Sequence, residues 1–328
     1  LNKDHQKIQS AGRPGRVEPE PISIDWQSRK LLDSARQAAA SESSITLTGE
    51  SGTGKEVLAR YIHKCSRRQP GPFLTIKCGA FTGELLGKEL FGREVTSNES
   101  STNPVTRGAI ENANGGTLYL DEVAEIPIPL QVKLLRVIQD KELVRIGGTI
   151  PIEVDVRFLA ASNRDLQDEM ANGRFRQDLY YRLNVVTLQI PPLAERKNDI
   201  PLLIQHFIQK YGGMMKKKVE KVSTEVAEIL QQYNFPGNVR ELENIIERGI
   251  TLASGNLIET DHLPEELQKA ISPIFFRKNG VIPTLAEQEG AYIEWVMKET
   301  GNNKTEAAKI LGIDRVSLWR KLKKMGLE

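Results

Sequence analysis

Cysteine is almost missing from this chain. Its 328 residues contain two, Cys65 and Cys78. They share no ligand-type spacing, which argues against a disulfide scaffold or a zinc site and fits a reducing cytosol. Histidine is nearly as scarce: His5, His63, His206 and His262 are scattered and form neither a metal cluster nor a Ser/His/Asp triad. No apolar run approaches membrane-spanning length and no signal peptide is visible, so a cytoplasmic protein without a membrane role is expected. Neither sign of charge dominates, the formal net charge being +2, so overall charge alone points to no class of partner. With 39% hydrophobic and 27% charged residues the composition is that of a soluble globular protein. The first residue is Leu1 rather than Met, which reads as a fragment.

Against that background the organisation is legible. Residues 1–21 are polar and rich in Pro and Gly and read as linker. From 22 to 190 strands and helices alternate: SITLT (44–48), FLTIK (73–77), LYL (118–120) and VDVRFLAAS (154–162) are apolar strands, with helical spacing in KEVLARYIHKC (55–65) and PLQVKLLRVIQDKEL (129–143). Such alternation predicts an α/β fold with a parallel sheet flanked by helices. PPL at 191–193 marks a break, and 191–255 reads as helical throughout. Residues 256–283 read as a second linker, and 284–328 as three short helices.

GESGTGKE (49–56) lies between a strand and a helix, the context a phosphate-binding loop requires. Gly49, Gly52 and Gly54 let backbone amides turn inward between Glu50, Ser51 and Thr53, and those amides together with the helix N-terminus meet phosphate oxygens. Lys55 neutralises the outer phosphates. Glu56 stands where the general pattern has Ser or Thr on Mg²⁺, so a metal-side hydroxyl comes from elsewhere, either Thr53 or water. TLYLDE (117–122) then ends an apolar strand in two acids: Asp121 to hold Mg²⁺ and Glu122 to polarise the attacking water.

The basic residues collect at the end of the chain. The last fifteen residues hold Arg315, Arg320, Lys321, Lys323 and Lys324 against Asp314 and Glu328, a local pattern that points to nucleic acid. Helices are expected at 284–301, 303–312 and 314–326, the last capped by Asp314. Leu318, Leu322 and Met325 face the core of this unit, while Ser317, Lys321 and Lys324, with Arg320 beside them, share the other side. This is the layout of a recognition helix. Arg315 is the candidate for base contact, and Thr305, Arg320, Lys321 and Lys324 for phosphates. Trp319 is expected to pack at the helix edge.

GESGTGKE, ELFG, GGTLYLDE, LLRVIQ, ASNRDL, GRFRQDLYYRLN, PPLAER and PGNVRELEN together resemble the central AAA+ domain of the NtrC-type activators of sigma-54 RNA polymerase, from about 40 to 255. The tail resembles the Fis-type helix-turn-helix that follows this domain. The resemblance implies an AAA+ P-loop ATPase fold with a helical lid and a C-terminal all-α DNA-binding domain, ATP and Mg²⁺ as cofactors, and RNA polymerase holoenzyme and palindromic double-stranded DNA as partners. It implies self-association, as a dimer through the Fis-type unit and as a hexameric ring through the ATPase. By the same resemblance Asn163 is the first sensor, Arg176 and Arg182 are arginine fingers acting on a neighbour's nucleotide, and Arg240 is the second sensor. A receiver or other regulatory domain is the family expectation ahead of the ATPase, as in two-component systems. Some relatives bind cyclic di-GMP near the start of this domain, for which only Arg29 and Arg36 are available.

Two departures bear on function. After ELFG the family carries a Gly-Ala-Phe-Thr-Gly-Ala loop whose aromatic tip engages sigma-54. Here the segment is REVTSNESSTNPVTRG, with no Phe and only Val95 and Val105 apolar. GAFTG does occur at 79–83, ahead of ELFG, and is read as coincidence. Lys77 replaces the usual Asn at the second strand end, where it could pair with Glu122 or approach the phosphates. The expectation is an ATP- and DNA-binding transcriptional regulator with weak ATPase activity that acts without sigma-54. The alternative is an ATP-hydrolysing hexameric activator that remodels sigma-54 polymerase. A P-loop ATPase unrelated to transcription is disfavoured by the tail.

Overall fold

The computed structural model describes residues 21–94, 105–270 and 284–325. The segment 95–104, which holds most of the polar loop, lies outside the described residues. Backbone contacts divide the chain into two units, Leu1–Ile204 with Asn234–Asn244, and Gln205–Tyr233 with Ile245–Glu328.

The first unit is built on a five-stranded parallel sheet. In chain order it holds α1 (Trp26–Ala39), β1 (Ile45–Thr48), α2 (Lys55–Lys64), β2 (Phe73–Lys77), α3 (Gly83–Phe91), β3 (Arg93–Glu94), β4 (Val105–Thr106), α4 (Ala109–Asn112), β5 (Thr117–Asp121), α5 (Ile128–Asp140), β6 (Glu142–Leu143), β7 (Ile152–Glu153), β8 (Arg157–Ser162), α6 (Leu166–Ala171), α7 (Gln177–Leu183) and β9 (Val186–Gln189). The sheet order is β2-β5-β8-β1-β9. Successive strand residues face opposite sides. Thus Leu118, Leu120, Phe158 and Ala160 enter one core with α3 and α5, while Tyr119, Leu159, Ala161, Ile45 and Leu47 enter the other with α1 and α2. Both faces are covered, as strands this apolar require. β3 pairs antiparallel with β4, and β6 with β7.

The strand expected over 154–162 begins only at Arg157. The backbone amide of Val154 is taken by the Lys141 carbonyl at 2.8 Å, which commits it to the return from the β6–β7 hairpin. The helix α1 has no counterpart among the elements expected from the sequence. Asp25 starts it by accepting from the Gln27 amide at 3.0 Å, and Arg157, buried, ends it with two hydrogen bonds to the Ala38 and Ala39 carbonyls at 2.9 Å.

The chain continues through α8 (Ile200–Met215), β10 (Lys221–Val222), α9 (Thr224–Gln232), α10 (Asn238–Leu252), β11 (Leu257–Ile258) and α11 (Glu265–Ala270). The unit boundary falls inside α8 and again inside α10. In the second unit Ser223 caps α9 through the Val226 amide, β10 and β11 pair in parallel, and Lys217 closes the end of α10 by donating to the Thr251 and Ala253 carbonyls at 2.6 and 3.0 Å. The stretch expected as linker from 256 therefore carries β11 and α11 before the described residues stop at 270. The tail forms α12 (Leu285–Glu299), α13 (Lys304–Ile310) and α14 (Arg315–Met325), around a core of Ile293, Val296, Met297, Ala307, Ala308, Leu318 and Leu322.

One carboxylate pins the start of α1. Asp199 is fully buried and accepts from the Ile24 and Asp25 amides at 2.7 and 2.8 Å and from the Ser28 hydroxyl at 2.7 Å. Asp199→Ala leaves those three donors without their acceptor in a site that water does not reach. The expected loss is about 3 kcal/mol of unfolding free energy, read as a fall in the urea midpoint. Asp199→Asn, which keeps one oxygen acceptor, should lose less.

Candidate functional site

Parallel pairing brings the C-terminal ends of the sheet strands to one edge, the place where open α/β sheets bind ligands. Lys77 of β2 is the register partner of Asp121 of β5, and Asn163 follows directly on β8. The loop after β1 wraps the N-terminus of α2. Gly52 and Gly54 take φ of 79° and 101°, the left-handed region open to glycine. Gly52 has a second reason to be glycine: a Cβ there would stand 2.3 Å from the Gly237 carbonyl oxygen.

Lys55 is buried, and its ammonium donates to the Gly49 and Glu50 carbonyls at 2.7 and 2.8 Å. Burial lowers its pKa, Asp121, Glu122 and Glu50 oppose that shift, and the nearby Arg240 guanidinium adds to it. A cation kept in place by carbonyls, with three carboxylates in its field, fits a polyphosphate with a divalent ion. The Thr53 side chain is buried, and its Oγ1 donates to the Glu50 carbonyl at 2.9 Å. Glu56 is occupied by Arg60 at 2.9 Å.

Glu122 sits in the left-handed region, φ 58°, and its carboxylate lies against the Gly79 backbone, where a Cβ would be 2.4 Å from Oε2. That contact gives the first glycine of GAFTG a local reason to exist. The rest of the pentapeptide leads into α3, and Phe81 packs on the core beneath it. The pentapeptide thus stands at the sheet edge and not on the β3–β4 hairpin. Lys77 is exposed, and among the described residues it makes no ion pair with Glu122.

Arg182 is exposed. Arg176 is held by Asp178 through two hydrogen bonds of 3.0 and 2.7 Å, and this bond keeps the Asp178 carboxyl below its usual range. Arg240 reaches the loop through Ser51 Oγ at 3.3 Å. Arg36 donates to the Tyr61 hydroxyl at 2.9 Å, while Arg29 is exposed on the same helix. No feature of α1 supports cyclic di-GMP as a ligand.

Sequence reasoning missed the groups that brace the loop from behind. Asn238, fully buried and at φ 54°, donates to Glu50 Oε2 and to the Ser51 carbonyl at 2.9 and 3.1 Å, and accepts from the Leu193 amide at 2.8 Å. The Val239 amide donates to the Gly52 carbonyl at 3.0 Å, and Arg196 donates to the Thr53 carbonyl at 2.7 Å. PGNVREL carried Asn238 in plain view, yet no local pattern could show that it meets a loop 188 residues away.

A family model described as "Sigma-54 interaction domain" matches residues 22–189. The chain belongs to the NtrC-type enhancer-binding proteins. An "AAA+ ATPase lid domain" matches 194–273, and "Bacterial regulatory protein, Fis family" matches 284–325. The chain is 44% identical over 292 residues to the transcriptional regulatory protein ZraR of Salmonella typhimurium, covering 89% of this chain and 66% of that one. It is 38% identical over 338 residues to the regulatory protein AtoC of Escherichia coli, covering 98% and 73%. Brucella abortus NtrX, solved in complex with ATP, superposes with a TM-score of 0.71 at 34% identity over 94% of this chain and 70% of that one. The chain thus spans about two thirds of the length of its curated relatives.

In the Fis-family unit α14 carries the expected cations, and the structure sorts them. Arg315, Arg320 and Lys324 are exposed, as is Thr305 on α13. Lys321 is paired with Glu289 of α12 at 2.5 Å, and the Ser317 hydroxyl donates to the capping Asp314 at 2.6 Å, so both side chains have structural partners within the unit. Trp319 is not packed away: it is 47% exposed, with the Lys323 ammonium 5.0 Å from its ring centre. With α14 in a major groove, Arg315→Ala should relax base preference at one position and cost about tenfold in affinity. Lys324→Ala should weaken binding evenly across sequences and reduce the salt slope by about one. Fluorescence anisotropy on a selected duplex at several salt concentrations reads both.

Proposed function

We propose that this chain is an ATP-binding, DNA-binding bacterial transcriptional regulator that acts without sigma-54. The observation that carries the second half is the composition of residues 95–104, VTSNESSTNP, where aromatic residues are absent and Val95 is the one hydrophobic residue. Interface energy concentrates in a few buried aromatic or large apolar anchors. A polar tip offers none, and the one nearby Phe of a GAFTG sequence is packed on the core.

The nucleotide half of the reading rests on the loop, the buried Lys55 and the acid pair. Bound ATP with Mg²⁺ would supply the phosphoryl chemistry. Lys55 and the loop amides would hold the phosphates, Asp121 would hold the metal, and Glu122 would accept the proton of an attacking water. Arg176 and Arg182 would act across a subunit boundary in an oligomer, and Asn163 and Arg240 would sense the outer phosphate. The DNA half rests on the Fis-family match and the exposed cations of α14; a dimer on a palindromic site and a polymerase holoenzyme as its target complete it. Lys77 beside Asp121 introduces a third cation at the sheet edge, which favours slow or uncoupled hydrolysis.

A second reading keeps the sigma-54 partner: an ATP-hydrolysing ring that remodels that polymerase. The phosphate-binding loop, the acid pair, Asn163 and the arginines, together with the family match, favour it. In vitro transcription with and without ATP separates the two, using sigma-54 holoenzyme in one arm and housekeeping holoenzyme in the other. The proposal expects a response in the second arm only, and ATP-dependent opening by sigma-54 holoenzyme would overturn it. In parallel, Lys77→Asn is expected to raise a slow ATPase rate several-fold; a fast rate left unchanged by that substitution counts against the role given to Lys77.

A further inference from the structure

We propose that Tyr119 is a positioning residue for the metal-binding carboxylate of Asp121, an inference that rests on the nucleotide reading above. Side-chain alternation along β5 sends Leu118 and Leu120 to one core and Tyr119 to the other. Asp121, two residues on, shares the Tyr119 face. The phenol ring is fully buried and is clamped by Phe73, whose ring lies nearly parallel to it at 6.3 Å and 17°. Arg60 caps Phe73 from outside, its guanidinium 4.8 Å from the ring centre, while the same guanidinium holds Glu56.

A buried hydroxyl needs a partner. This one donates to Asp121 Oδ1 at 3.2 Å. The consequence is geometric. Oδ1 is oriented from within the core, and the carboxylate's second oxygen is left for a cation at the sheet edge. Position 56, where a hydroxyl would serve the metal in the general loop pattern, is a carboxylate neutralised by Arg60. The aiming of Asp121 therefore falls to a hydroxyl from its own strand, two residues back. At 3.2 Å the bond is longer than the usual value of about 2.7–2.8 Å for two oxygens, so it orients more than it stabilises and the effect of losing it is modest.

The test is Tyr119→Phe in the full chain, which keeps the ring and its stacking. Binding of a fluorescent ATP analogue is followed by anisotropy while MgCl₂ is titrated, and again in EDTA. The half-saturating Mg²⁺ concentration should rise about three- to fivefold, the order expected for loss of one weak hydrogen bond to a charged group. Affinity in EDTA and the melting temperature should stay as in the parent. On an Asp121→Asn background, Tyr119→Phe should add nothing, since the two act as one unit. An unchanged Mg²⁺ dependence overturns the positioning role alone. An equal loss of affinity with Mg²⁺ and in EDTA also overturns it, by showing a general packing effect. Failure of the parent protein to bind the analogue under either condition overturns the nucleotide reading, and the positioning role with it.

Discussion

Strand register is the constraint on which the nucleotide site depends. β2, β5, β8 and β1 run in parallel, and the pairing of Lys77 with Asp121 and of Thr48 with Ser162 ends them at a common edge. A slip of one residue in β5 would reverse its two faces. Leu118 and Leu120 would exchange cores with Tyr119, and Asp121 would turn away from Lys55. The buried apolar layers on both sides thus hold the acid pair in place, because any other register exposes them to the wrong helices.

The phosphate loop is braced by chain distant from it. Gly52 accepts from the Val239 amide, Asn238 joins Glu50, Ser51 and Leu193, and Arg196 holds the Thr53 carbonyl. The carbonyls of the loop are engaged by these partners and by Lys55, which leaves its amides as the free donors on the ligand side. Movement at the start of α10 must therefore be felt by the loop, a direct physical route for coupling nucleotide to that helix. Asp199 extends the same framework to the start of α1, so the first helix is anchored near the same braces.

Much of the fold was legible. The strands FLTIK and LYL, the helix after GESGTGKE and the three tail helices lie within two residues of their expected bounds, because period, caps and glycines act locally. What escaped was non-local. The Lys141–Val154 backbone bond shortened a strand. The cap and the buried Arg157 that bound α1 left a weak trace in a polar segment. Lys321 and Ser317 looked free on a helical wheel but have partners at 2.5 and 2.6 Å. Trp319 looked packed and is instead half exposed, with the Lys323 ammonium over its ring.

The amino-acid order by itself determined which chemistry is present: a glycine loop with its lysine, two acids closing an apolar strand, a basic last helix, and a segment at 95–104 rich in Ser, Thr and Asn. Each of these is a property of neighbours in the chain, readable from spacing alone. Only tertiary structure decided which of those groups are engaged with one another. Tyr119 meets Asp121, Asn238 meets Glu50, and Phe81 turns inward. Those outcomes follow from the buried sheet, which has one register that satisfies both cores and so sets distances between residues that the sequence keeps far apart.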